Sequence, residues 1–153
     1  MLNGLALSGS SSSVAYISQH GAGSDFDDYF TSLYNVVGNN SPLISPGFLT
    51  DNSVSKYYLA GQNLAWGSAG DSWTVGEDDT KGASCSSYDM YDSMINYYAK
   101  SGKFPNLKTI ILVGHSGGGN MISRFSTINT NEPVAMKYIV ANAANQAYFT
   151  NAD

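Results

Sequence analysis

Short apolar runs alternate along this chain with stretches whose apolar residues recur every three or four positions, the pattern of strands separated by amphipathic helices. Val14 to Ser18 reads as the first strand. It is entered through the serine run Ser10 to Ser13, which makes residues 1–13 an N-terminal segment and linker. Gln19-His20-Gly21-Ala22-Gly23 ends that strand, because its glycines free the backbone to turn. Ser24 then reads as a helix N-cap with Asp27 in capping-box position. Phe26, Phe30, Leu33 and Val37 give the helix an apolar face, and Gly38 closes it.

Two runs compete for the second strand. Tyr57 to Ala60 has the better β-propensity, but Leu43 to Ser45 lies just past Gly38, and connections in α/β units run to about 2–6 residues. Leu43 to Ser45 is therefore preferred. Residues 47–83 become a long excursion holding Trp66 and Trp73, which either line a pocket or pack in the core. Ser86 with Asp89 starts a second helix whose buried stripe is Tyr88, Tyr91, Met94, Ile95 and Tyr98. Gly102 and Pro105 end it. Lys108 to Val113 reads as a buried strand, residues from about Gly118 to Ile128 as a third helix, and Met136 to Ala141 as a final strand. The alternation predicts an α/β fold: a parallel sheet of about four strands with helices on both faces, in one domain over residues 14–153.

One stretch carries chemistry outright. Gly114-His115-Ser116-Gly117-Gly118 is a Gly-x-Ser-x-Gly motif, weak alone in a chain with 16 glycines. Its setting strengthens it. Ile110 to Val113 precede it and a helix-compatible segment follows, the strand–turn–helix context in which such a serine becomes an exposed nucleophile. Side chains two positions either side of a serine on so sharp a turn would collide, so Gly114 and Gly118 support the elbow. The N–H of Gly117, at the helix start, is then a donor to the oxyanion of a tetrahedral intermediate. The loop His20 to Gly23, directly after the first strand, supplies a second donor from Ala22 or Gly21. His20 reads as a residue that orients this loop by a hydrogen bond rather than as a base.

Composition trims the alternatives. Seven basic residues, with Arg124 the only arginine, and a net charge of -5 give no footprint for a phosphate backbone, so nucleic acid is not an expected partner. Cys85 stands alone, which excludes an internal disulfide and any cysteine-based metal site. No apolar run approaches the ~20 residues of a membrane span, and the first residues lack the basic start of a signal peptide. The Ser/Asn/Tyr-rich, Lys-poor texture leans towards a secreted protein and leaves the compartment unassigned. Gly119-Asn120 cannot complete a phosphate loop, which needs Gly-Lys-Ser/Thr. Glu77-Asp78-Asp79 with Asp71 matches no calcium-loop spacing and reads as a solvated acidic loop. No cofactor and no metal are expected.

The chain resembles the α/β-hydrolase superfamily, and within it a group of fungal and bacterial hydrolases. The residues that carry the likeness are His20 to Gly23 with Asp27 to Phe30, Ser45 to Asp51, Ser86 to Asp89, Phe104 to Lys108, Gly114 to Asn120 and Tyr138 to Asn142. The resemblance implies a serine hydrolase that attacks an ester or amide of unassigned class through Ser116. It also implies that the strands are the third to the sixth of an eight-stranded sheet. In that superfamily an acid and then a histidine follow the serine; here no histidine follows Ser116, and Glu132 and Asp153 are the only later acids. The expectation is thus a piece of such an enzyme, inactive alone, or a catalytically inactive binding protein of the same fold. A sheet that stopped at Ala141 would expose an apolar parallel edge, and such edges self-associate.

Overall fold

The structure, a computed structural model, describes residues 11–50, 63–67 and 72–145 of the 153. Its sheet has four parallel strands: β1 (Val14–Gln19), β2 (Leu43–Ile44), β3 (Thr109–His115) and β4 (Ala135–Ala141), side by side in the order β2-β1-β3-β4. Leu43 and Ile44 pair with Tyr16 and Ile17, so the run just past Gly38 is indeed the second strand. The alternative at Tyr57 to Ala60 lies outside the described residues, as do Asp71, Asp153 and residues 1–10.

Among the described residues three α-helices connect the strands: α1 (Phe26–Val37), α2 (Ser87–Lys100) and α3 (Gly117–Ile128). The chain steps one way from β1 to β2 and the other way from β2 to β3 to β4. Right-handed crossovers then require α1 on one face and α2 and α3 on the other. Side chains agree with this. The Ser18 hydroxyl reaches the Tyr29 carbonyl of α1, whereas on the opposite face Ala15, Ile17, Ile110 and Leu112 join Tyr91, Ile95, Met121, Ile122 and Phe125 in one buried cluster. The result is an α/β fold with helices on both faces.

Local signals differ in how they fare. At α2 the Ser86 side chain accepts from the Asp89 N–H and the Asp89 side chain accepts from the Ser86 N–H, the complete capping box. The stripe holds too: Tyr91, Met94, Ile95 and Tyr98 are buried, with Tyr88 half-buried. The box proposed at Ser24 and Asp27 does not form. Ser24 donates its N–H back to the Gly21 carbonyl at 3.3 Å and sits at φ 56°, so the helix begins one residue later with Asp25 as an N-cap that makes no side-chain bond. On α1 only Phe26 is buried; Phe30, Leu33 and Val37 are partly covered.

Both tryptophans of the excursion join the core. Trp66 and Trp73 are buried, and Phe48 packs against both, at ring-centroid distances of 4.8 and 5.5 Å. Residues Trp73–Val75 form a single 3-10 turn that the sequence pattern does not announce. Among the described residues β4 is the sheet's outer strand opposite β2, with Ile139 50% and Val140 37% exposed.

Candidate active site

The carboxyl ends of β1 and β3 lie next to each other, and the helices that follow them leave towards opposite faces. That divergence is the place where open α/β sheets bind ligands. Ser116 stands there alone between β3 and α3, at φ 55° and ψ −122°. A side chain other than glycine rarely holds φ in that range, and the usual cost is about 1–3 kcal/mol. Two hydrogen bonds pin the conformation: the Ser116 N–H donates to the Ala141 carbonyl of β4, and the Ser116 carbonyl accepts from the Asn120 N–H, both at 3.0 Å.

The glycines around it are required by backbone rather than by ligand. A Cβ on Gly114 would strike the Gly118 carbonyl and stand 2.8 Å from Ile122 Cδ1. One on Gly118 would strike the carbonyl oxygen of Gln19 and come within 2.6 Å of that of His20. Gly119, not singled out by the motif, is equally confined, since its Cβ would meet the Ala141 carbonyl at 2.7 Å. These contacts let α3 start directly against the end of β1.

That approach brings the two loops together. A Cβ on Gly117 would lie 3.2 Å from the Ala22 backbone nitrogen, and one on Gly21 would lie 3.5 Å from Ser116 Cβ. Gly117 is the first residue of α3, where N–H groups lack an intrahelical acceptor. Among the described residues neither the Gly117 nor the Ala22 N–H finds a protein acceptor. Of the two residues read as second donor, Ala22 is the one whose nitrogen faces Gly117.

His20 fixes the loop. Its Nδ1 bonds the Gly21 carbonyl at 2.5 Å and its Nε2 accepts the Phe48 N–H at 2.9 Å, so the proton sits on Nδ1 and the ring is neutral. The imidazole is buried beside Trp73, Phe26 and Phe48. Burial pushes its pKa below the usual 6.5, against smaller upward pulls from the Gly21 carbonyl and the Asp25 charge. Because the folded-state value is the lower one, the unfolded chain takes up the proton first. Stability tied to His20 is therefore fully present above about pH 6.5 and is lost as pH falls from there through the folded value. Thermal melts between about pH 7.5 and 5 should show this decline, and His20→Gln should flatten it. An equal slope in both proteins would place the titration elsewhere.

His115, at the end of β3, is exposed and belongs to a separate chain of contacts. Its Nδ1 lies 2.9 Å from the Tyr29 hydroxyl of α1, and its Nε2 lies 2.9 Å from Asn142 Nδ2, just past β4. Tyr29 and Asn142 fall within stretches that carry the family resemblance, but the sequence pattern assigns neither a role at the site. Tyr29 sits one helical turn from Phe26 and could have been noticed at the loop-facing end of α1. Asn142 reaches the site only through the pairing of His115 with Ala141. Among the described residues no group of three or more His, Cys, Asp or Glu gathers as a metal site, and no helix is long and apolar enough to cross a membrane. No family model, curated protein or solved structure matches this chain.

Proposed function

We propose that this chain carries the nucleophile of a serine hydrolase, related to the α/β-hydrolases, that cleaves esters or amides through an acyl-enzyme on Ser116. The observation behind this reading is the backbone of Ser116 itself, a serine at φ 55° on a one-residue turn between a central strand and a helix. Among the described residues its hydroxyl makes no hydrogen bond that would call for a serine there, and strain of this kind concentrates at functional sites. In the proposed reaction Oγ attacks the carbonyl carbon, the C=O electron pair moves onto oxygen, and that oxyanion is held by the N–H groups of Gly117 and Ala22. Collapse expels the alcohol or amine, and water later releases the acid.

The serine proton needs a base, and neither histidine offers one. Both ring nitrogens of His20 are engaged by backbone, and both of His115 by Tyr29 and Asn142. In this reading the base comes from outside the described residues. The same observation favours a second reading, a binding protein that holds a carbonyl or carboxylate group at Gly117 and Ala22 without turnover.

A fluorophosphonate probe separates the two. Intact-mass analysis should show one adduct per chain, mapped to the peptide containing Ser116, if the serine is activated. A chain that stays unlabelled while acetate shifts the Gly117 and Ala22 amide resonances would be the binding protein. Labelling at another serine would end both readings.

A further inference from the structure

We propose that the Tyr29 hydroxyl is a third donor to the oxyanion formed at Ser116, held in that role by His115 and Asn142; the proposal rests on Ser116 being the nucleophile. Donor–acceptor accounting leads to it. Asn142 Nδ2 can only donate, so His115 Nε2 accepts, and a neutral imidazole then carries its proton on Nδ1. That N–H donates to Tyr29 Oη at 2.9 Å. The tyrosine oxygen is thereby an acceptor, and its own O–H proton is left to donate to something else. Among the described residues no protein acceptor takes it.

Position says what that something is. A Cβ built on Gly21 would meet Tyr29 Oη at 3.2 Å and Ser116 Cβ at 3.5 Å, so hydroxyl and nucleophile flank the same point of the loop. The phenol also stays protonated: burial raises its pKa most, the Asp25 charge raises it further, and the Gly21 backbone lowers it a little. Stability does not account for the network. It ties α1, β3 and β4 together through two exposed side chains, His115 and Asn142, and hydrogen bonds at such places add little to folding. A donor fixed beforehand by two partners is what oxyanion stabilisation rewards, because it need not reorganise when charge develops.

Phenylboronic acid tests this on the full chain without requiring turnover. A bond forms from Ser116 Oγ to boron, the serine proton passes to buffer, and the resulting tetrahedral boronate, an anion whose charge lies formally on boron, places one of its hydroxyl oxygens where the oxyanion would be. Boron-11 NMR distinguishes it from the free trigonal acid. The wild-type chain should form the tetrahedral species and Ser116→Ala should not. Tyr29→Phe should raise the boronate Kd at least about tenfold, the worth of one hydrogen bond to a charged group. Incorporating 3-fluorotyrosine at position 29, equal in shape but a stronger donor, should lower that Kd. A Tyr29→Phe chain that binds boronate as tightly as wild type overturns the Tyr29 assignment and leaves Ser116 standing. If Tyr29→Phe melts early, the fluorotyrosine chain decides, and unchanged or weaker binding there overturns the assignment. A wild-type chain that forms no tetrahedral boronate overturns both together.

Discussion

Gly118→Ala is expected to destabilise the fold by about 3 kcal/mol, the upper end of what an inserted methyl group costs in a packed interior. The added carbon would press on two main-chain carbonyls, those of Gln19 and His20, rather than on flexible side-chain ends. Neither carbonyl can retreat. Gln19 is in register with Gly114 in the sheet, and its side chain accepts a 2.5 Å hydrogen bond from the buried Tyr91 hydroxyl. His20 is clamped at both ring nitrogens. The helix must therefore lift off the end of β1, which also pulls Gly117 away from Ala22. At roughly 2–4 °C per kcal/mol for a chain of this size, the melting temperature should fall by about 10 °C. Gly23→Ala is the control. It has no positive φ, and its nearest neighbour is the Asp25 carboxylate at 3.5 Å, so its effect should stay within about 0.5 kcal/mol. A Gly118→Ala chain melting within about 2 °C of wild type would mean that α3 does not approach β1 this closely.

What could be read from the sequence divides along the range of the interactions involved. The capping box at Ser86 and Asp89 and the stripe of α2 are legible because both partners lie within one or two turns of helix. Gly114 and Gly118 are legible for the same reason, since a sharp strand-to-helix turn dictates small residues whatever surrounds it. Which atoms enforce them is not legible: the carbonyls of Gln19 and His20 arrive from a strand about a hundred residues earlier. Ser24 illustrates the reverse failure. Its spacing to Asp27 is right for a cap, but the Gly21 turn takes its N–H and twists it into the left-handed region. The chain of Tyr29, His115 and Asn142 depends on the register of β3 with β4 and on where α1 lies. Neither is written in any local pattern.

Removing Ser116 Oγ should abolish fluorophosphonate labelling and boronate binding, and the choice of replacement should separate the chemistry from the strain. Ser116→Ala keeps a Cβ at φ 55°, so it loses reactivity with stability nearly unchanged. Ser116→Gly loses the same reactivity but releases the backbone. Relief of about 1–3 kcal/mol is offset by up to about 1 kcal/mol from the greater freedom of glycine in the unfolded chain. The net expectation is a gain of about 1 kcal/mol in equilibrium denaturation over the alanine variant. The gain arises because the surroundings hold the turn whatever residue occupies it: Ala141 and Asn120 bond the backbone of residue 116, not its side chain. A residue that costs stability where glycine would cost less is retained for what its side chain does, the trade-off seen at active sites. Should the glycine variant prove less stable than the alanine variant, the turn is relaxed rather than strained, and Ser116 loses its main claim to be the nucleophile.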